Sequence, residues 1–380
     1  MNIVIGFLST YPPRECGLAS FTSDLVNGLE KVQSKCTPKV IAVSDDRKNY
    51  CYDNRVIMEL KQHDRESYTD VAKKINDSDI RLLVIEHEYG IFGGECGEYL
   101  LDLIDNINKI PIITTLHTVL PNPLKKQYEI LKSLGKKSEK IVTMARNTIP
   151  ILKNVYEIDE EKIEVIHHGV PSRKVQPREK LKEKYGLSGR TVVSTFGLIS
   201  PGKGLEYGIE AIADVAKKHS DVIYLILGQT HPSIKTESGE SYRDKLETLV
   251  ADLGISENVK FVNKYLTIDE IIEYLQLSDI YMTPYLGKDQ AVSGTLAYAV
   301  GYGKVIVSTP YSYAKEMLSD GRGLLAQFKD SKSLAECICY VLEHPEEKEA
   351  MEQKTLELGK TMTWENVAKQ YAGLFSGLVQ

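Results

Sequence analysis

Short runs of β-branched and aliphatic residues alternate with longer amphipathic segments along the whole chain. In the first half, residues 3–8, 39–43, 82–87, 110–116, 140–143 and 163–167 read as strands. In the second half, residues 191–196, 222–227, 259–262, 280–283 and 304–308 do. Residues 18–31, 98–107, 205–217, 242–253 and 334–342 have helical spacing. Strands apolar on both faces need cover on both sides, and intervening helices supply it. The expected class is therefore α/β, with parallel, doubly wound sheets. At about 150 residues per domain, 380 residues suit two. Residues 172–189 are polar and carry Pro177, which places the break there: residues 1–171, then 172–361. Beyond Leu342 a charged helical stretch leads to Thr363, which reads as an N-cap with Asn366 three residues on. The only tryptophan, Trp364, follows and reads as a hydrophobic anchor.

The balance of 47 basic against 53 acidic residues opposes non-specific nucleic-acid binding, which needs excess cation. No apolar run nears the roughly 18 residues of a membrane span. The chain enters a strand-like run almost at once, without a secretory signal, so a cytoplasmic protein is expected. The six cysteines show no Cys-x-x-Cys spacing, so they read as reduced thiols and no metal site is expected.

In open α/β sheets ligands bind beyond the carboxyl ends of the strands. The loop after the first strand, Ser9 to Leu18, carries Pro12, Pro13 and Gly17, the last where a helix begins. It lacks Gly-x-Gly-x-x-Gly, so no dinucleotide fingerprint is present. The loop Phe196-Gly197-Leu198-Ile199-Ser200-Pro201-Gly202-Lys203-Gly204 puts a glycine-flanked cation at a helix start, which suits an anion. It is no Walker A loop, because Gly204 follows the lysine. Ser293-Gly294-Thr295 opens an apolar helix and makes a second anion cradle. Glu86 and Glu88 share one face of a strand end, and His117 follows the next strand. Two carboxylates on one strand cannot flank a sugar ring from opposite sides, which disfavours a glycosidase. His167, His168 and Gly169 close the first domain, and there is no Asp-x-Asp pair.

Taken in order, these motifs resemble those of a retaining GT-B glycosyltransferase of family four (group 1 type), over essentially the whole chain. The resemblance implies two Rossmann-like domains facing a central cleft. The acceptor side is the first domain, and the last helix, about residues 362–380, packs back on it. The second domain holds the donor, a UDP- or GDP-linked sugar, with no cofactor and no metal. The implied catalytic residues are His117 near the donor sugar, Lys203 on the diphosphate and Asp289 on sugar hydroxyls. The implied donor contacts are Gly17, Gly197, Lys203, Asn263, Tyr265, Ser293, Gly294, Thr295 and Arg322.

Two positions depart from the family pattern. Leu198 stands where an arginine is usual, with Arg322 or Arg14 as replacement cations. Ala297 stands where a glutamate usually holds the ribose. A GT-B phosphorylase or epimerase, or a non-catalytic binding subunit, therefore stays open beside the transferase. The resemblance implies a glycan, lipid-linked or small-molecule acceptor. Residues 125–140 hold six lysines against Glu129 and Glu139, which raises a weak peripheral contact with the inner face of a membrane. Oligomeric state is not legible.

Overall fold

The computed structural model describes residues 3–32 and 35–379. The chain divides into two compact units. One comprises Met1–Pro171 with Met362–Gln380, the other Ser172–Thr361.

The first unit carries seven parallel strands: β1 (Ile3–Ser9), β2 (Cys36–Ser44), β3 (Val56–Lys61), β4 (Ile80–His87), β5 (Ile112–Leu116), β6 (Lys140–Thr143) and β7 (Ile163–Val165). Their order is β3-β2-β1-β4-β5-β6-β7. The second unit carries β8 (Thr191–Phe196), β9 (Val222–Leu227), β10 (Val259–Val262), β11 (Ile280–Thr283), β12 (Val305–Ser308) and β13 (Leu324–Leu325), in the order β10-β9-β8-β11-β12-β13. Each order reverses at one place, between β1 and β4 and between β8 and β11. Central strands such as β5 and β9 are buried along their whole length, as sheets covered on both faces require. β3 and β13 were absent from the expectation. β3 lies at the sheet edge with half-buried alternation, and β13 has two residues, so neither shows the apolar run of a central strand.

The Trp364–Leu378 helix belongs to the first unit, where it packs on the Gly17–Lys31 helix. Thr363 caps it, accepting from Asn366 N at 3.3 Å. Val170 N donates to Met362 O at 2.8 Å, and Trp364 N to Val170 O at 3.0 Å. A Cβ on Gly169 would lie 2.2 Å from the Trp364 ring, so glycine leaves room for the anchor. Phe21 meets the same ring edge-on at 5.0 Å.

Candidate active site

The reversals place the carboxyl ends of β1, β4, β8 and β11 where doubly wound sheets hold ligands. The segments singled out in the sequence follow these strands.

In the second unit, Gly197 ends β8 with φ +130 and Gly228 ends β9 with φ +138. A Cβ on Gly228 would stand 2.1 Å from Gly197 O, so both loops leave the sheet in close backbone contact. The Pro201–Lys203 turn then presents Lys203 beside a recess lined by Phe196, Gly197 and Leu198. Lys203 Nζ lies 3.7 Å from the centroid of the Tyr285 ring, a cation–π contact. It forms no ion pair with a described residue. Tyr285 Oη bonds Thr295 Oγ1 at 2.9 Å, and Thr295 Oγ1 bonds Ser293 Oγ at 3.1 Å. Ser293 caps the Gly294–Gly301 helix by accepting from Leu296 N at 3.3 Å. The first-turn amides of that helix make a partial positive charge. A cation, a hydroxyl pair and a helix start are thus joined across the β8 and β11 loops. Tyr285, which joins them, was missed in the sequence; an aromatic two residues past a strand was the available signal.

Asp289 sits in an exposed turn, with no hydrogen bond or ion pair to a described residue. The turn is held by Ser312 N→Lys288 O at 2.9 Å and Tyr313 N→Gln290 O at 3.0 Å. Asn263 and Tyr265 follow the edge strand β10, and Tyr265 is 58% exposed.

Arg322 and Arg14, the replacement cations expected for Leu198, each hold hydrogen bonds within their own unit. Arg322 Nε donates to Met317 O at 2.7 Å and Nη2 to Glu316 O at 3.1 Å, capping the Ser312–Met317 helix. Ser319 and Asp320 take further donors, so this guanidinium is engaged structurally. Arg14 is likewise committed, to Val43 O at 3.1 Å and Gln62 Oε1 at 3.0 Å. Ala297, where the family's ribose-holding glutamate was expected, is fully buried.

In the first unit, Gly17 opens the Gly17–Lys31 helix, and a Cβ built on it meets nothing within 4 Å. The fold itself thus leaves open space there. At the end of β4, Glu86 is wholly buried, and its Oε2 pairs with His117 Nε2 at 2.8 Å. Burial pushes the Glu86 carboxyl up, and His117 opposes that. Glu88 accepts from Tyr89 N at 3.0 Å and from Thr118 Oγ1. The two carboxylates thereby tie the end of β4 to the residues after β5. His87 is buried with neither ring nitrogen partnered, and burial pulls it down to about 3. His168 is pulled down to about 4, again by burial.

The lysine-rich stretch is not an open basic face. Lys126 pairs with Glu98 at 2.7 Å, Lys132 with Glu157 at 2.8 Å, Lys137 with Asp105 at 3.3 Å and Lys140 with Glu164 at 2.8 Å. The acids come from elsewhere in the unit, which a count along the sequence misses. No helix among the described residues is long and apolar enough to cross a membrane.

Residues 177–357 match the family model for glycosyl transferases group 1. The second unit is a glycosyltransferase group 1 domain. The chain is 25% identical over 275 residues to an uncharacterized glycosyltransferase of Methanocaldococcus jannaschii, covering 70% of this chain and 65% of that protein. It is 22% identical over 310 residues to the D-inositol 3-phosphate glycosyltransferase of Corynebacterium glutamicum, covering 77% and 72%. The chain thus spans about two thirds of the length of these curated relatives. The fold matches the structure of Anabaena Alr3699/HepE in complex with UDP and glucose, with TM-score 0.78 and 16% identity over 99% of this chain and 100% of that one. It also matches sucrose-phosphate synthase of Thermosynechococcus elongatus, with TM-score 0.80 and 14% identity over 99% of each. Two Rossmann-like parallel sheets of this kind are those of GT-B glycosyltransferases, so the group 1 domain sits in its expected fold.

Proposed function

We propose that this chain is a retaining glycosyltransferase that moves a sugar from a UDP- or GDP-linked donor to a glycan, lipid-linked or small-molecule acceptor, without a metal ion. The observation that carries the reading is the Lys203–Tyr285–Thr295–Ser293 cluster at the β8/β11 reversal of a group 1 domain. A departing nucleoside diphosphate develops negative charge, and preorganised cations and amides stabilise it. Lys203 and the start of the Gly294–Gly301 helix are such groups. Asp289 offers an unpartnered carboxylate to sugar hydroxyls. In the first unit, the bond between Glu86 Oε2 and His117 Nε2 fixes the imidazole's orientation and leaves Nδ1 for a hydroxyl of the substrate. The D-inositol 3-phosphate glycosyltransferase and the bound UDP of HepE support the donor class.

The test is incubation with a panel of UDP- and GDP-sugars and candidate acceptors, following nucleoside diphosphate release. The product's anomeric configuration is read by proton NMR. The expected result is UDP or GDP release, an unchanged anomeric configuration and full activity in excess EDTA. Inversion overturns the retaining mode, and activity lost to EDTA but restored by Mg²⁺ or Mn²⁺ overturns metal independence. Nucleotide binding without turnover in any pairing overturns the enzymatic reading.

A further inference from the structure

Three metal-competent side chains from distant parts of the sequence meet within the second unit. Cys339 and Glu343 lie four residues apart on the Ser331–Glu343 helix, hence on one face. His219 follows the Leu205–Ala216 helix, held by His219 N→Val215 O at 2.9 Å and Val222 N→His219 O at 3.1 Å. The two helices pack together. One ligand atom from each of His219, Cys339 and Glu343 lies within 4.8 Å of the others. His219 Nε2 is buried and has no hydrogen-bond partner. Glu343 Oε1 stands 3.7 Å from it, too far for a hydrogen bond. Nitrogen and oxygen ligands at about 2.0–2.2 Å give a tetrahedron edge of roughly 3.3–3.6 Å, close to that gap.

We infer that His219, Cys339 and Glu343 bind one zinc-type divalent cation, with water as the fourth ligand. A thiolate with an imidazole selects such an ion over Mg²⁺ or Ca²⁺, which prefer all-oxygen sets. The site adjoins Val222, the first residue of β9, so it lies at the amino edge of the sheet. The Lys203 cluster lies past the opposite edge. The ion therefore ties the ends of two helices together and takes no part in the donor chemistry. Binding displaces the Cys339 proton, so affinity rises with pH.

The experiment titrates the metal-stripped full chain with Co²⁺ and reads its absorption. The expected result is one Co²⁺ per chain, with a near-ultraviolet thiolate charge-transfer band and the visible bands of a tetrahedral ion. Zn²⁺ bleaches both and raises the thermal midpoint. Cys339→Ser abolishes the charge-transfer band. Outer partners of a metal ligand are worth about 10–100-fold in affinity, so His219→Gln and Glu343→Gln each weaken binding at least tenfold. Cys337→Ser leaves the band intact. Asp45, Asp46 and His63 form another three-ligand group but bring no thiol, so His63→Ala leaves the band unchanged. No charge-transfer band at millimolar Co²⁺ overturns the inference, whatever the variants do. A band that survives Cys339→Ser in folded protein also overturns it. Neither outcome bears on the transferase reading, because the readout is independent of turnover.

Discussion

The two strand-order reversals share a topology and differ in chemistry. At β1/β4 the strand ends are dry and titratable. Glu86 and His87 are wholly buried, His117 is nearly so, and burial shifts Glu86 up and His87 and His168 down. At β8/β11 the ends are glycine, hydroxyl and helix start, and Lys203 lies half-buried over an aromatic ring. A buried ion cluster of the second unit sits at the other edge of its sheet. There Asp279 meets Lys182 at 2.9 Å, and burial holds Lys304 down to about 7. A doubly wound sheet thus decides where a ligand can sit, and the loop residues decide what it can be. The second reversal offers a lysine and helix-start amides, groups that suit negative charge. The first is built to hold one imidazole in one orientation.

The largest expected effect breaks the second reversal. Lys203→Ala removes a cation there, and losing one preorganised contact of this kind costs about 100-fold or more in turnover, near 3 kcal/mol. Steady-state turnover with the best donor checks it. Turnover within about threefold of wild type would remove Lys203 from the mechanism.

The next prediction concerns the buried imidazole of the first reversal. His87 has a folded pKa of about 3 against an ordinary 6.5. Between these values the unfolded chain binds the proton and the folded one does not. Stability is therefore present above pH 6.5 and is lost as pH falls toward 3. At pH 4.5 the loss is about 2–3 kcal/mol. His87→Phe removes that site, so its stability should fall less between pH 7 and 4.5 than the wild type's. Urea unfolding followed by Trp364 fluorescence reports on the first unit, where the only tryptophan lies. Parallel wild-type and variant curves would show that His87 does not carry this acid sensitivity.

A smaller effect tests whether Glu86 orients His117 or only charges it. Glu86→Leu leaves His117 Nε2 without its acceptor and should lower kcat/KM about tenfold, near 1.4 kcal/mol. Glu86→Gln keeps an oxygen that accepts the Nε2 proton, so most of the activity should remain, with a shifted pH profile. Equal losses in the two variants would show that the negative charge matters and the orientation does not.

Most of the fold was legible in the sequence because central parallel strands are apolar on both faces and so appear as unbroken runs. β3 escaped because an edge strand is only half-buried and its alternation is weak. Lys203, Ser293 and Gly294 were legible for a local reason: glycine, lysine and a capping serine act within a few residues of their own position. The Lys203–Tyr285 contact and the Glu86–His117 pair were not, because each joins loops that only the strand order brings together. The surroundings of Arg322 were not legible either: its guanidinium bonds the carbonyls of Met317 and Glu316 and the side chains of Ser319 and Asp320.

The smallest expected effect concerns the lysines of residues 125–140, and it extends the contrast between paired and unpaired charge. Each free lysine near an anionic bilayer contributes about 1 kcal/mol. Six acting together would hold the chain on vesicles at moderate salt. Lys126, Lys132, Lys137 and Lys140 instead face Glu98, Glu157, Asp105 and Glu164 within 3.3 Å. Lys125 stands 4.0 Å from Glu129 and is 91% exposed, so its charge is the less neutralised. Moving the paired lysines to a membrane would abandon these contacts and leave the acids facing anionic lipid. The net attraction should then be about 1–2 kcal/mol, which salt screening at physiological strength largely removes. Cosedimentation with phosphatidylserine-containing vesicles should therefore be near background. Glu98→Gln with Glu157→Gln should raise it measurably by freeing Lys126 and Lys132. Strong wild-type binding that 0.5 M salt reverses would show that the ion pairs yield to lipid and that this face is basic in use.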